Sequence, residues 1–190
     1  MQALSKSSLT LALSLTLGSV TALTPAISQA ADGPKKPNIV VILADDLGYS
    51  DIKSYGSEID TPNLDQLANE GLSFSNYHTS ASCAPTRAML LSGVDSHRAG
   101  VANIAEAKTE SQANSPFYNG TLNDNVVTIA TLLKDQGYHT YMAGKWHLGY
   151  KDPELRPINR GFELTVMMPY SGADNWQQRS YLPNYPEAEW

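Results

Sequence analysis

The spacing of hydrophobic positions changes character several times along the chain. Asn38-Ile39-Val40-Val41-Ile42-Leu43-Ala44 is a continuous run, mostly β-branched, that stops at Asp45-Asp46. An apolar run without polar interruption suits a strand buried on both faces of a parallel sheet. At Thr61-Pro62-Asn63 the pattern turns helical. Thr61 fits an N-cap, Pro62 the first helical position, Leu64, Leu67 and Ala68 an apolar stripe, and Gly71 the stop. Leu72 to Tyr77 alternates apolar and polar residues, as a strand does. Residues 83–92 hold the helix formers Arg87, Ala88, Met89, Leu90 and Leu91, with Pro85 near the start and Gly93 at the end. Residues 94–125 are rich in Asn, Ser and Gly and predict a long loop with a short helix near Ile104 to Lys108. Loops of that length in compact domains are often functional. Val126 to Gln136 predicts a helix stopped by Gly137, and His139 to Gly144 a strand that runs into Lys145-Trp146-His147. From Lys151 onward prolines and polar residues dominate and the periodicity fades. There is no internal repeat.

Strand, helix, strand, helix, helix, strand is the order of an α/β fold with a mainly parallel sheet sandwiched by helices. Ligands of such sheets bind at the carboxyl ends of the strands. Asp45-Asp46 and the pair Lys145 and His147 fall at such ends, and Cys83 falls at a helix start.

Residues 1–30 read differently. Lys6 supplies a positive start, Leu9 to Leu23 an apolar, hydroxyl-rich stretch, and Ser28-Gln29-Ala30 the small residues of a cleavage site after Ala30. The stretch is too short and too rich in Ser and Thr for a stable membrane anchor, which needs ~20 predominantly apolar residues. A signal peptide (1–30), a linker (31–37) and one domain (38–190) are expected, in the periplasm or secreted. The chain of 190 residues is 42% hydrophobic and 17% charged, a globular composition. Its formal net charge of −6 excludes tracking along a phosphate backbone, so nucleic acid is not an expected partner. A single cysteine rules out an intrachain disulfide, leaving a small buried hydrophobe, a partner in intermolecular pairing or a reactive thiol.

Three clusters carry candidate chemistry. Asp45 and Asp46 are adjacent carboxylates that repel unless a cation holds them, which suits a hard divalent ion such as Ca²⁺ or, less well, Mg²⁺; a plain turn is the alternative. Cys83 and Arg87 are i and i+4, on one face of the predicted helix, where free N–H groups favour an anion and a thiolate. A guanidinium there can grip a sulfate or phosphate through two donors. The bland alternative is a surface helix with one buried cysteine. Lys145 and His147, two apart at a strand end, would point to one side and could neutralise an oxyanion or protonate a leaving group. They could equally be an exposed basic pair. His78, His97 and His139 read as packing or surface residues, and Trp146 as core or cleft lining.

Several stretches go beyond generic chemistry. Cys83-Ala84-Pro85-Thr86-Arg87 followed by Met89-Leu90-Leu91-Ser92-Gly93 resembles the sulfatase signature, and Gly137 through Lys145-Trp146-His147-Leu148-Gly149 resembles the second one. Pro37 through Gly48, Thr61-Pro62-Asn63-Leu64-Asp65 and Arg160-Gly161-Phe162-Glu163 also fit, in the right order. The chain thus resembles a bacterial arylsulfatase of the alkaline phosphatase-like superfamily. The resemblance implies that a separate maturation enzyme, reading Cys83, Pro85 and Arg87, oxidises Cys83 to formylglycine. It implies that the hydrated aldehyde attacks the sulfur of a sulfate ester, on a small molecule or a sulfated sugar. Asp45 and Asp46 are then ligands of Ca²⁺, which also touches residue 83. Arg87 holds the hydrated aldehyde, and Lys145 and His147 contact sulfate or nucleophile.

Family members are far longer, and their remaining metal and sulfate ligands come from a later segment. Asp174-Asn175 follows the second signature too soon to be that ligand pair. Ca²⁺ takes 6–8 oxygens, so residues 1–190 alone are expected to be inactive. Two other readings share the residues: a phosphonate or phosphate diester hydrolase with the same signature, and a secreted, non-catalytic remnant that still binds an anion.

Overall fold

A computed structural model of the chain describes residues 36–174, 176 and 179–180. The expected signal peptide, most of the linker, and Asn175 lie outside the described residues. The chain divides after Ile42, and residues 36–42 carry no regular structure. The expected strand at 38–44 is therefore not formed. Val40 is 81% and Ile42 82% exposed, where burial on both faces was expected. A strand exists through its ladder, and this run has none among the described residues. The same correction applies to Leu72–Tyr77, which carries no strand and leaves Leu72, Phe74 and Tyr77 exposed.

From residue 43 onward three helices form where capping signals fall. Helix α1 spans Pro62–Glu70, with proline at its start and Thr61 at the N-cap. Thr61 accepts a hydrogen bond from the backbone N–H of Lys53 and donates to Asp65, tying the helix to the turn before it. Its predicted stripe stays open, with Leu64 and Leu67 exposed. Helix α2 spans Cys83–Ser92 and ends at Gly93, which is left-handed and donates to the carbonyl of Met89. Helix α3 spans Ile129–Asp135 and is shorter at both ends than its pattern suggested. Its start is set by Thr128, whose hydroxyl accepts from the N–H of Thr131.

Strand β1 (Tyr141–Lys145) pairs in parallel with β2 (Leu164–Met168), Tyr141 opposite Leu164 and Lys145 opposite Met168. The ladder continues past β1, where the N–H of Trp146 donates to the carbonyl of Met168. A parallel pair needs a crossover of a dozen or more residues. Residues 146–163 provide it through two short 3-10 turns, Pro153–Leu155 and Pro157–Arg160. Strand β2 was not expected, because it lies in the stretch where periodicity fades. A short antiparallel pair, β3 (Ala173–Asp174) with β4 (Arg179–Ser180), follows.

The core lies between α2, α3, the β1 end and the long loop. It joins Ala84 and Ala88 of α2, Ala130 of α3, Ala99, Val101 and Leu122 of the loop, and Trp146, Leu148 and Phe162. Ala84 and Ala88 are i and i+4, so α2 presents one small-residue face to this core. Trp146 is fully buried and donates its indole N–H to the carbonyl of Leu155. It is core, not cleft lining.

The loop at 94–125 is well anchored. Val101 bridges Tyr118, the N–H of Leu122 donates to the carbonyl of Leu148, and that of Asn123 to Ala99. Arg160, buried, donates to the carbonyls of Leu122 and Asn123 and pairs with Asp124. The next residue, Gly161, has φ of 97°, and a Cβ there would sit 2.3 Å from the backbone nitrogen of Thr131. Gly161→Ala is therefore expected to displace the first turn of α3 and cost about 2–4 kcal/mol, read as a lowered denaturant midpoint.

Candidate functional site

Helix α2 sets the first half of the site. Cys83 is its first residue, after Ser82 in extended conformation, so Cys83 stands among the free N–H groups of the first turn. One turn on, Arg87 does not reach out to solvent. Its Nε donates to the carbonyl of Trp146 at 2.9 Å and its Nη2 to the carbonyl of Lys145. The guanidinium thus ties the start of α2 to the end of β1, and two of its five donors go to backbone rather than to an anion. Burial pushes its pKa below the ordinary arginine value, while Asp45 and Cys83 pull it back up. Arg87 stays charged throughout.

The end of β1 sets the second half. Lys145 is its last residue, and the Lys145 side chain is only 8% exposed. Its ammonium donates to both carboxylate oxygens of Asp45, at 2.9 and 3.1 Å. His147 follows the buried Trp146 in a left-handed conformation, φ 56°. Asp46 has φ 54°, and these are the two non-glycine residues with positive φ among the described residues. Left-handed backbone is uncommon outside glycine and clusters at functional sites.

The halves meet at sulfur. Cys83 Sγ lies 3.4 Å from His147 Nδ1. That hydrogen bond is the main reason the thiol is lowered to about 7, against burial, which raises it; the charges of His147 and Lys145 lower it further. In the unmodified protein the thiolate therefore forms at a lower pH than that of a free thiol. Alkylation of Cys83 by iodoacetamide is expected to rise as pH passes through 7 and to level off above it. A His147→Ala variant should need a clearly higher pH for the same rate.

Cys83, Arg87, Lys145, His147 and Asp45 are thus brought into one cluster. Asp46 follows Asp45 in the chain and stands beside this cluster. His78, His97 and His139 stay outside. His78 contacts Asn76, His97 pairs with Asp95, and His139 pairs with Glu163 at 2.8 Å on the surface. Asp174 accepts from the N–H of Trp176 in a local turn. Among the described residues no three His, Cys, Asp or Glu side chains group as a metal would require. The two loop aspartates still offer hard oxygen donors, and Asp45 already compensates a cationic group. Their chemistry fits part of a divalent cation's shell.

Sequence reasoning missed one residue, Glu106. It sits in the 3-10 turn Ala105–Ala107 within the long loop, and its carboxylate is 3.4 Å from His147 Nε2. The short helical signal at 104–108 was visible, but nothing in the spacing linked position 106 to position 147. A cavity of about 210 Å³ opens beside this pair, lined by Glu106, His147, Asn119, Thr121, Tyr150 and Tyr170 among others. Cys83, Arg87 and Lys145 are not among the residues that line it. No helix among the described residues is long and apolar enough to cross a membrane.

Comparison with known proteins adds an independent line. The Sulfatase family pattern matches residues 37–188. An uncharacterised sulfatase of Schizosaccharomyces pombe is 48% identical over 142 residues, covering 73% of this chain and 26% of its own. An arylsulfatase of Klebsiella aerogenes is 46% identical over 128 residues, covering 67% of this chain and 27% of its own. A solved structure in complex with its substrate, D-glucosamine-2-N,6-O-disulfate, aligns with TM-score 0.56 at 32% identity, over 70% of this chain and 23% of its own. The chain spans about a quarter of the length of these curated relatives.

Proposed function

The chain belongs to the sulfatase family, and on that premise we propose that it is the nucleophile-bearing part of a sulfate-ester hydrolase whose Cys83 is converted to formylglycine. The observation that carries this is the convergence of Cys83, Arg87, Lys145 and His147 at the start of α2, with Asp45 on Lys145. The Sγ atom stands where an oxygen of the modified residue would be. When present, formylglycine supplies the oxygen nucleophile. The residues around it do the rest. His147 Nδ1 holds or takes a proton at position 83. The ammonium of Lys145, beside both Asp45 and position 83, offsets negative charge of a bound sulfate. Arg87 fixes the distance between α2 and β1, so the groups keep their geometry.

Asp45 and Asp46, with an oxygen at position 83, would hold Ca²⁺, which supplies charge neutralisation at the sulfate. Ala84 and Pro85 are buried and Arg87 is bonded to two carbonyls. A maturation enzyme that reads Cys83, Pro85 and Arg87 therefore acts before this fold closes. The substrate class is an aryl sulfate or a sulfated sugar, supported by the named arylsulfatase relative and the disulfated glucosamine complex. Residues 1–30 act as the leader for export.

The test uses the full-length protein made together with a formylglycine-generating enzyme. Aryl sulfate is turned over well above a phosphate diester, and the peptide over Cys83 has lost its sulfur. Turnover of the diester alone would point instead to the phosphorus-ester branch of the superfamily. An intact thiol without turnover would point to a binding remnant.

A further inference from the structure

His147 offers Nδ1 to position 83 and Nε2 to Glu106, each at 3.4 Å. We propose that Glu106 is a positioning residue that keeps a hydrogen of His147 on Nε2, so that Nδ1 is the nitrogen left to exchange a proton with position 83. The inference rests on the sulfatase reading for its consequence in turnover, but not for its geometry.

The physical case has three parts. An ionised carboxylate only accepts hydrogen bonds, so the nitrogen facing Glu106 must carry the hydrogen. In the neutral imidazole the other nitrogen is then an acceptor, and that nitrogen is the one beside residue 83. The ring also has little freedom to choose otherwise. The side chain of His147 is 6% exposed, that of Glu106 is 21% exposed, and the backbone at His147 is held left-handed at φ 56°. A carboxylate that selects the tautomer of a working imidazole contributes through that nitrogen alone and never touches the reacting atoms. The cavity beside Glu106 gives the carboxylate its effect. Without it, water entering that space could donate to Nε2 as readily as accept from it, and the ring would lose its preference.

The test has two readouts on the full-length, matured protein. The first is the ¹⁵N spectrum of selectively labelled histidine, with the His147 signals identified by their loss in His147→Gln. The expected result is hydrogen on Nε2 in the native protein and a mixture of tautomers in Glu106→Ala. Hydrogen on Nδ1 in the native protein overturns the proposal. The second is steady-state hydrolysis of an aryl sulfate. Glu106→Ala is expected to lower kcat about 10–100-fold with KM within about twofold and the thermal midpoint unchanged. An unchanged kcat overturns the role, as does a loss that follows the thermal midpoint alone. If the native enzyme hydrolyses no sulfate ester, the sulfatase reading fails, and the spectrum still decides what Glu106 does to His147.

Discussion

Replacing Cys83 by alanine in the full-length enzyme is expected to abolish turnover of an aryl sulfate, by at least about 10⁴-fold, while leaving the fold intact. The size of the effect follows from the position of the residue. Cys83 is the point where the first turn of α2, the imidazole of His147 and the ammonium of Lys145 converge. His147 Nδ1 lies 3.4 Å from the Cys83 sulfur, and on the proposed reading alanine removes both that atom and the source of the nucleophile. The structural cost is small, because Cys83 is half-buried and is not part of the buried core cluster. Measured side by side, kcat collapses and the denaturant midpoint barely moves. Retained turnover would mean that another residue is the nucleophile, since the remaining cluster holds no second thiol: the chain has one cysteine.

The parts of this site differ in how visible they were in the sequence, and the difference has a physical basis. Helices α1 and α2 were legible because their boundaries are local events: Pro62 at a first position, Gly93 in left-handed conformation. Strand β1 was legible from its place before Lys145-Trp146-His147. The partner β2 was not, since its apolar residues Leu164, Val166 and Met168 follow a proline-rich crossover that hides the alternation. The run at 38–44 shows the opposite error. Its composition is that of a buried strand, yet strand formation depends on neighbours that no run contains in itself. Cys83, Arg87, Lys145 and His147 could be named as candidates because their residue types are chemically distinctive. What they do to one another could not. The docking of Arg87 on two backbone carbonyls leaves no trace in residue identity, and Glu106 reaches His147 across a loop whose path only the fold supplies.

Arg87→Lys should then be far from conservative, with both stability and turnover falling. The guanidinium reaches the carbonyls of Trp146 and Lys145 through two nitrogens in a fixed plane. An ammonium on a flexible stem satisfies one carbonyl at a time. The other is left without its donor, at a cost of about 1–3 kcal/mol for a buried polar group. The two carbonyls belong to the end of β1 and the residue before His147, so the loss reaches the chemistry directly. Without the fork, the separation of α2 from β1 is no longer fixed, and the 3.4 Å approach of His147 to position 83 loosens. A misplacement of that kind costs about 10²-fold in kcat even when no reacting group has been removed. Denaturant unfolding and kcat per folded molecule separate the two effects. A purely structural arginine would lower the midpoint and leave kcat per folded molecule unchanged. An arginine that only grips the anion would raise KM and leave the midpoint alone. The geometry predicts a lowered midpoint together with a lowered kcat, because one side chain holds both the packing of α2 on β1 and the register of the site they share.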